Sequence, residues 1–335
     1  MTSAELHRAR RLLCALQDHI RGVLLAAREK NPANFARVAA VTAADTIYRV
    51  DRIGEEAIFA WLEKNWPRAW PVELVMERSE GGEPVVFPRG VPVARTVWKC
   101  ILDPIDGTRN LMYDKRSAWT LAALAPQRGA KTSLADIVVA AMTELPTSKQ
   151  WRADQLSVVR GGGRRGLTAA AIDVRSGRKR KIFPRPSPAR DFRHGFASLV
   201  KFFPEGKSLL ARVEEELWAS LGASGRAGAL VFDDQYLTTG GQIYELLAGH
   251  DRMIADLRPL ALAKLGITSS LVCHPYDICT ALLLTEAGGV VEAPEGGPLR
   301  APLDTTSAVA WVGYANAVLA RRVRPNLQRL VKTHL

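Results

Sequence analysis

Asp103-Pro-Ile-Asp-Gly-Thr108 is a short acidic stretch that directly follows an apolar run, Thr96–Leu102, typical of a buried strand. Pro104 fixes one φ angle and Gly107 frees the next turn, so both carboxylates and the Ile105 carbonyl can face one point. Oxygen ligands of this kind suit a hard cation such as Mg²⁺. Two carboxylates held together also repel each other unless a cation lies between them. The alternative is an ordinary Asp-Gly turn without a metal.

The composition is that of a globular chain. It has 335 residues, of which 47% are hydrophobic and 24% charged, enough for one large domain or two closely packed lobes. The formal net charge is +12, and the segment from Arg160 to Arg193 concentrates it, with eleven Lys or Arg against two Asp. This segment is either a solvated basic excursion or a rim that attracts phosphate. It carries no zinc-finger or RNA-binding signature, so a nucleic-acid partner is not expected, and a nucleic-acid-associated protein that uses this segment stays as a further alternative.

The cysteines and the apolar runs bear on the compartment. Cys14, Cys100, Cys273 and Cys279 form no C-x-x-C pair, which argues against a zinc site or a disulfide framework and favours reduced thiols in a cytoplasm. No signal-peptide run opens the sequence, and no apolar stretch approaches ~20 uncharged residues, so we expect no membrane association.

Strands and helices of mixed order are predicted along the chain, which favours α/β or α+β layers. Apolar spacing predicts helices over Ala4–Lys30 and Thr42–Asn65, and a strand at Leu271–Cys273. A closing helix is predicted over Ala315–Lys332, with an interruption at Pro325.

Four elements resemble the inositol monophosphatase family, whose superfamily includes fructose-1,6-bisphosphatases and 3′-phosphoadenosine-5′-phosphate phosphatases. The stretch Asp103–Asn110 resembles the first family signature, and Tyr276–Gly289 resembles the second. Val41-Thr-Ala-Ala-Asp45 is similar to a Thr-x-x-Asp element, and Val75-Met-Glu-Arg-Ser79 to a Gly-Glu-Glu-Ser segment in which Arg78 replaces the second glutamate. The four elements follow the family's order and span most of the chain.

The resemblance implies a fold, an assembly and a metal centre. The fold would be an α+β, layered α-β-α-β-α sandwich, forming a single domain over 1–335 with lobes at about 1–150 and 151–335. The protein would be a cytoplasmic homodimer. Its two or three Mg²⁺ ions would be bound by Glu77, Asp103, the Ile105 carbonyl, Asp106 and Asp277.

The resemblance also implies catalytic and substrate-binding residues. Asp45, hydrogen-bonded to Thr108 and close to Glu77, would position and deprotonate the attacking water, although Asp45 is also suited to cap a helix. The amides of Gly107 and Thr108 would bind phosphate oxygens. Further substrate contacts would come from Arg109, Thr239, Gly240 and His274. Each of these four also has a plain structural interpretation, as a surface arginine, a helix start or a partly buried histidine.

The expected activity is Mg²⁺-dependent hydrolysis of a small phosphate monoester, such as an inositol monophosphate or a sugar phosphate. Ser270 stands where the family has an inositol-binding glutamate, and Arg109 is suited to meet a second anionic group. Fructose-1,6-bisphosphate and 3′-phosphoadenosine-5′-phosphate therefore stay open as substrates. A non-catalytic sugar-phosphate or metal-binding protein of the same fold is the alternative from another class.

Overall fold

The computed structural model describes residues 2–30, 38–41, 46–77, 84–223, 231–269 and 271–335, with the backbone alone for 38–41 and 46–49. The helices are α1 (Ser3–Lys30), α2 (Arg49–Asn65), α3 (Thr108–Met112), α4 (Gly163–Gly166), α5 (Lys207–Ser220), α6 (Thr239–Ala248), α7 (Arg258–Lys264), α8 (Pro275–Ile278), α9 (Ala281–Glu286) and α10 (Ala317–His334). Short 3₁₀ turns lie at Val93–Arg95, Gly129–Lys131 and Leu134–Asp136.

The strands form a hairpin and two larger sheets. Their bounds are β1 (Val38–Val41), β2 (Thr46–Tyr48), β3 (Val72–Met76), β4 (Val85–Phe87), β5 (Trp98–Asp106), β6 (Ala118–Pro126), β7 (Val139–Leu145), β8 (Arg152–Val159), β9 (Thr168–Asp173), β10 (Lys179–Lys181), β11 (Gly195–Leu199), β12 (Val231–Phe232), β13 (Asp251–Asp256), β14 (Val290–Glu292) and β15 (Trp311–Tyr314). The large sheet has the order β10-β9-β8-β7-β6-β5-β3-β4 and is antiparallel except for the β3–β5 pair. The smaller sheet has the order β12-β11-β13-β15-β14, with β11 parallel to both of its neighbours.

Helices cover both faces of the large sheet. On the outer face, α1 buries Leu13, Leu16 and Ile20 at helical spacing and packs on β7 and on α2. On the inner face, α6, α8 and α9 form a shared core with β5, β6 and the smaller sheet. The far face of the smaller sheet packs on α5 and α10. The alternating layers confirm the predicted mixed α/β sandwich.

Three local predictions were wrong. The second helix begins at Arg49 instead of Thr42, because Thr46–Tyr48 pairs as a strand with Val38–Val41, and its β-branched and aromatic residues favour extended backbone. Leu271–Cys273 is not a strand. Helix α10 continues through Pro325, because Val323 and Leu327 keep its apolar face packed in the core on both sides of the proline.

The basic segment forms the outer edge of the large sheet. Strand β10, Lys179–Lys181, is exposed and pairs only with β9 among the described residues. Charged residues on an edge strand block pairing with other chains, which accounts for their position without a ligand. In the described part of the chain, no helix has the length and apolar character needed to span a membrane.

Candidate metal centre

An irregularity in strand β5 brings two carboxylates together. Asp103 pairs with Leu121 and Asp106 with Trp119, so β5 holds one more residue than β6 between these pairs. Residues three apart in a regular strand face opposite sides of the sheet, and one extra residue returns them to the same side. Both carboxylates are buried, and the Ile105 amide donates to Asp103 Oδ1 at 2.9 Å.

The N-terminus of helix α6 holds the Asp106 carboxylate. The Thr238 hydroxyl donates to Asp106 Oδ2 at 2.8 Å, and the Gly240 amide donates to the same oxygen at 2.5 Å. The Thr239 amide donates to Oδ1 at 3.3 Å. Burial raises the pKa of Asp106 to about 6, and these hydrogen bonds oppose that rise.

Gly107 is required by the close approach of α6. Its φ of +91° lies in the left-handed region, and a Cβ there would lie 2.9 Å from Thr238 Cγ2. The backbone can therefore turn directly after Asp106 and begin helix α3 at Thr108.

Asp277 comes from a distant part of the chain, on the short helix α8. The His274 amide donates to Asp277 Oδ2 at 2.6 Å, and Pro275 begins the helix. Each of Asp103, Asp106 and Asp277 offers one carboxylate oxygen, and these three atoms lie within 4.8 Å of one another.

This cluster fits a hard divalent cation. Burial is the largest cause that raises the pKa of both Asp103 and Asp277, and the charges of Glu77 and Asp106 raise both further. Buried carboxylates so close together are unfavourable as anions unless a cation compensates them. The ligand set is oxygen-only, which suits Mg²⁺. Glu77 is exposed and lines the same cleft, outside the compact triad of Asp103, Asp106 and Asp277.

Thr108 lies beside the triad and faces a carboxylate that was not predicted. Its hydroxyl oxygen is 3.3 Å from Asp51 Oδ1 and 3.0 Å from the Ile105 carbonyl oxygen. The predicted partner, Asp45, lies outside the described residues. Asp51 is in the first turn of α2, and it was missed because the second helix was expected to begin seven residues too early, at Thr42 instead of Arg49.

These groups share a cleft with a second, less polar set of side chains. Gly107, Thr108, Arg109 and Thr239, which were predicted to bind substrate, line the cleft, and that role stays a prediction. The less polar part of the lining includes Arg258 together with Phe202, Phe203, Leu237, Leu271 and Val272, none of which had been proposed from the sequence.

Two of the predicted substrate contacts have structural partners instead. The Gly240 amide is used by Asp106, and a Cβ on Gly240 would lie 2.5 Å from Leu121 Cδ2. His274 is buried, its ring stacks on Tyr276 with centroids 5.4 Å apart, and its Nδ1 lies 2.9 Å from the Ser307 carbonyl oxygen. Their roles toward a substrate stay predictions.

Several solved structures share this architecture at low sequence identity. No protein-family model matches the chain, and no curated protein matches it by sequence. The extragenic suppressor protein suhB of Bartonella henselae superposes with a TM-score of 0.63 at 17% identity, over 98% of this chain and 100% of that one. Fructose-1,6-bisphosphatase of Leishmania major gives 0.63 at 15% identity, over 96% and 93%. Inositol monophosphatase of Anabaena gives 0.59 at 12% identity, over 99% and 98%. The chain therefore has the fold of these solved structures.

Proposed function

We propose that this protein is a Mg²⁺-dependent phosphatase that hydrolyses a small phosphate monoester with water. The observation that carries the proposal is the triad of Asp103 and Asp106, both buried, and Asp277, partly buried, which lines the same cleft as Thr108 and Asp51. Without a cation, three carboxylates so close together would destabilise the folded protein. The adjacent hydroxyl–carboxylate pair supplies groups that can move a proton.

The triad would hold the ion, with the Ile105 carbonyl and Glu77 available to it or to a further ion at the rim of the cleft. The chemistry that Mg²⁺ supplies when bound is neutralisation of phosphate charge and acidification of water. Arg109 adds positive charge to the cleft, and the amides of Gly107 and Thr108 lie where the backbone turns beside the triad.

Thr108 and Asp51 would form the proton path. When the Thr108 hydroxyl donates to Asp51, its oxygen keeps lone pairs that can accept a proton from the attacking water. The proton then passes through Thr108 to the Asp51 carboxylate, which acts as the general base. Asp51 thus takes the role predicted for Asp45.

The test is phosphate release from a panel of inositol, sugar and nucleotide phosphates, including fructose-1,6-bisphosphate and 3′-phosphoadenosine-5′-phosphate. We expect turnover in Mg²⁺ and none after chelation. Asp103→Asn is expected to abolish both turnover and the Mg²⁺-induced rise in melting temperature. Thr108→Val is expected to lower kcat by about 10²-fold and to keep that rise, because it removes the proton path and no ligand. Asp173→Asn, at an exposed turn, is the matched control.

Three outcomes would contradict the proposal: no release from any ester, release that survives chelation, or full activity of Asp103→Asn. Binding of phosphate esters without turnover would favour the non-catalytic alternative. The predicted homodimer and cytoplasmic location stay predictions, and sedimentation of the purified protein tests the first.

A further inference from the structure

The cleft is chemically two-sided. The acidic side carries Asp51, Glu77, Asp103, Asp106 and Asp277. The other lining side chains are mainly apolar or aromatic, namely Phe202, Phe203, Leu237, Leu271 and Val272, and form the less polar wall of the cleft. A phosphate held at the triad would leave the alcohol part of the ester to contact these remaining lining residues.

The one charged side chain described in that wall is already paired. Arg258 is buried, and its Nε and Nη2 donate to the two oxygens of Asp256 at 2.9 and 2.5 Å. Its Nη1 donates to the Leu271 carbonyl oxygen at 2.9 Å. The guanidinium is therefore fixed by bidentate pairing and by a backbone bond.

The fixed guanidinium in turn supports two aromatic rings. The Arg258 Cζ atom lies 4.5 Å from the ring centroid of Phe202 and 5.4 Å from that of Phe203. The two rings meet edge to face, with centroids 4.9 Å apart. Both phenylalanines are half-buried and line the cleft. The wall thus presents preorganised rings to the cleft, rather than hydrogen-bonding groups.

A polyol and an aromatic group would bind this wall with different free energies. The hydroxyls of an inositol or a sugar lose water on binding and need hydrogen-bonding partners, which rings and aliphatic chains do not supply. A planar aromatic ring buries its faces on phenylalanine at little cost and gains stacking energy.

We propose that the preferred substrate is a phosphate monoester whose alcohol carries an aromatic ring, as a nucleoside monophosphate does, and that Phe202 and Phe203 bind that ring. The proposal rests on the phosphatase function proposed above. It assigns the two phenylalanines a role in specificity, with Arg258 as the residue that positions them.

Adenosine 5′-monophosphate and ribose 5-phosphate form a matched pair for the test, because both lose phosphate from the same ribosyl 5′ oxygen and differ by the base. We expect kcat/KM in Mg²⁺ to be about tenfold or more higher for the nucleotide, the size of one base–aromatic stack. Phe202→Leu and Phe203→Leu keep the apolar volume and remove one ring each. Each is expected to lower kcat/KM for the nucleotide by about tenfold while changing that for ribose 5-phosphate by less than about twofold.

Phe183→Leu is the control, because Phe183 is 69% exposed and does not line the cleft. It is expected to leave both substrates unchanged. A second pair, benzyl phosphate against cyclohexylmethyl phosphate, separates aromatic from merely apolar preference, and the benzyl ester is expected to be the better substrate.

The possible failures are distinguishable. If kcat/KM for ribose 5-phosphate or inositol 1-phosphate equals that for the nucleotide, the aromatic specificity is overturned. The proposed phosphatase function is not affected by that result. Equal losses on both members of the pair in Phe202→Leu and Phe203→Leu would overturn the assigned role of the rings. No turnover of any ester in Mg²⁺ would overturn the phosphatase, and this inference with it.

Discussion

Replacing Asp277 with asparagine should raise the free energy of unfolding above that of the wild type without Mg²⁺. With Mg²⁺, the variant should be the less stable of the two. Asparagine has the same shape and keeps an oxygen that can accept the His274 amide, so the substitution removes mainly the charge. Two unit charges 4.8 Å apart, the outer limit among the triad oxygens, repel by about 3.5 kcal/mol at an effective dielectric constant of ~20. Proton uptake relieves part of this repulsion, so we expect Asp277→Asn to raise the metal-free free energy of unfolding by about 1–3 kcal/mol.

Magnesium should invert that order. At a concentration of ~1,000 times Kd, the ion stabilises the wild-type protein by about 4.1 kcal/mol, more than the metal-free advantage of the variant. The variant lacks one ligand and is expected to gain little. Urea unfolding at about pH 8, followed by tryptophan fluorescence in EDTA and in MgCl₂, measures all four free energies. The eight tryptophans of the chain supply the signal.

One result would refute this reasoning. If Asp277→Asn lowers the free energy of unfolding by the same amount in EDTA and in MgCl₂, the carboxylates neither repel one another nor share an ion. Asp173→Asn, at an exposed turn, should shift stability equally in both media, whatever the size of that shift.

Two further substitutions test the surroundings of the centre, and a third tests a buried carboxyl that does not line the cleft. Thr238→Val removes the hydroxyl that donates to Asp106 and caps helix α6, and should lower the free energy of unfolding in urea by about 2–4 kcal/mol. Gly240→Ala would place a Cβ 2.9 Å from Asp106 Oδ2 and 2.5 Å from Leu121 Cδ2; it should cost about 1–3 kcal/mol and reduce the Mg²⁺-induced rise in melting temperature. Burial raises the pKa of Asp251 from 3.8 to about 7, so its contribution to stability is full below the lower value and lost as pH rises through the upper one. Asp251→Asn should therefore match the wild type in acid and exceed it at about pH 8 by at most ~4 kcal/mol, measured by urea unfolding.

The predictable part of the centre is local in sequence. Asp103, Ile105 and Asp106 lie within one stretch whose proline and glycine dictate a turn, so a short pattern is enough to indicate the ligand cluster. The resemblance added Asp277, and the fold brings its carboxylate to the same point.

The unpredictable part depends on contacts between distant segments. The Thr108–Asp51 pair spans 57 positions, and its carboxylate was hidden because the apolar spacing of α2 continues backward into strand β2. The aromatic wall is harder to predict, because Phe202 follows strand β11 whereas Arg258 begins helix α7 after strand β13, and the two meet only after folding. Hydrophobic periodicity identifies an element, but it carries no information about which distant loop will face it.

The start of helix α6, which was predicted to face phosphate, donates hydrogen bonds to a carboxylate. A helix N-terminus stabilises any nearby anion, and the anion at the N-terminus of α6 is the Asp106 carboxylate. Asp106 thus receives three donors from α6, whereas the Ile105 amide serves Asp103 and the His274 amide serves Asp277. The pKa of Asp106 accordingly rises only to about 6, while burial and neighbouring charge hold the pKa values of the other two carboxyls well above their usual range. Asp106 is therefore the carboxyl of the three that the protein's own hydrogen bonds favour most strongly as an anion.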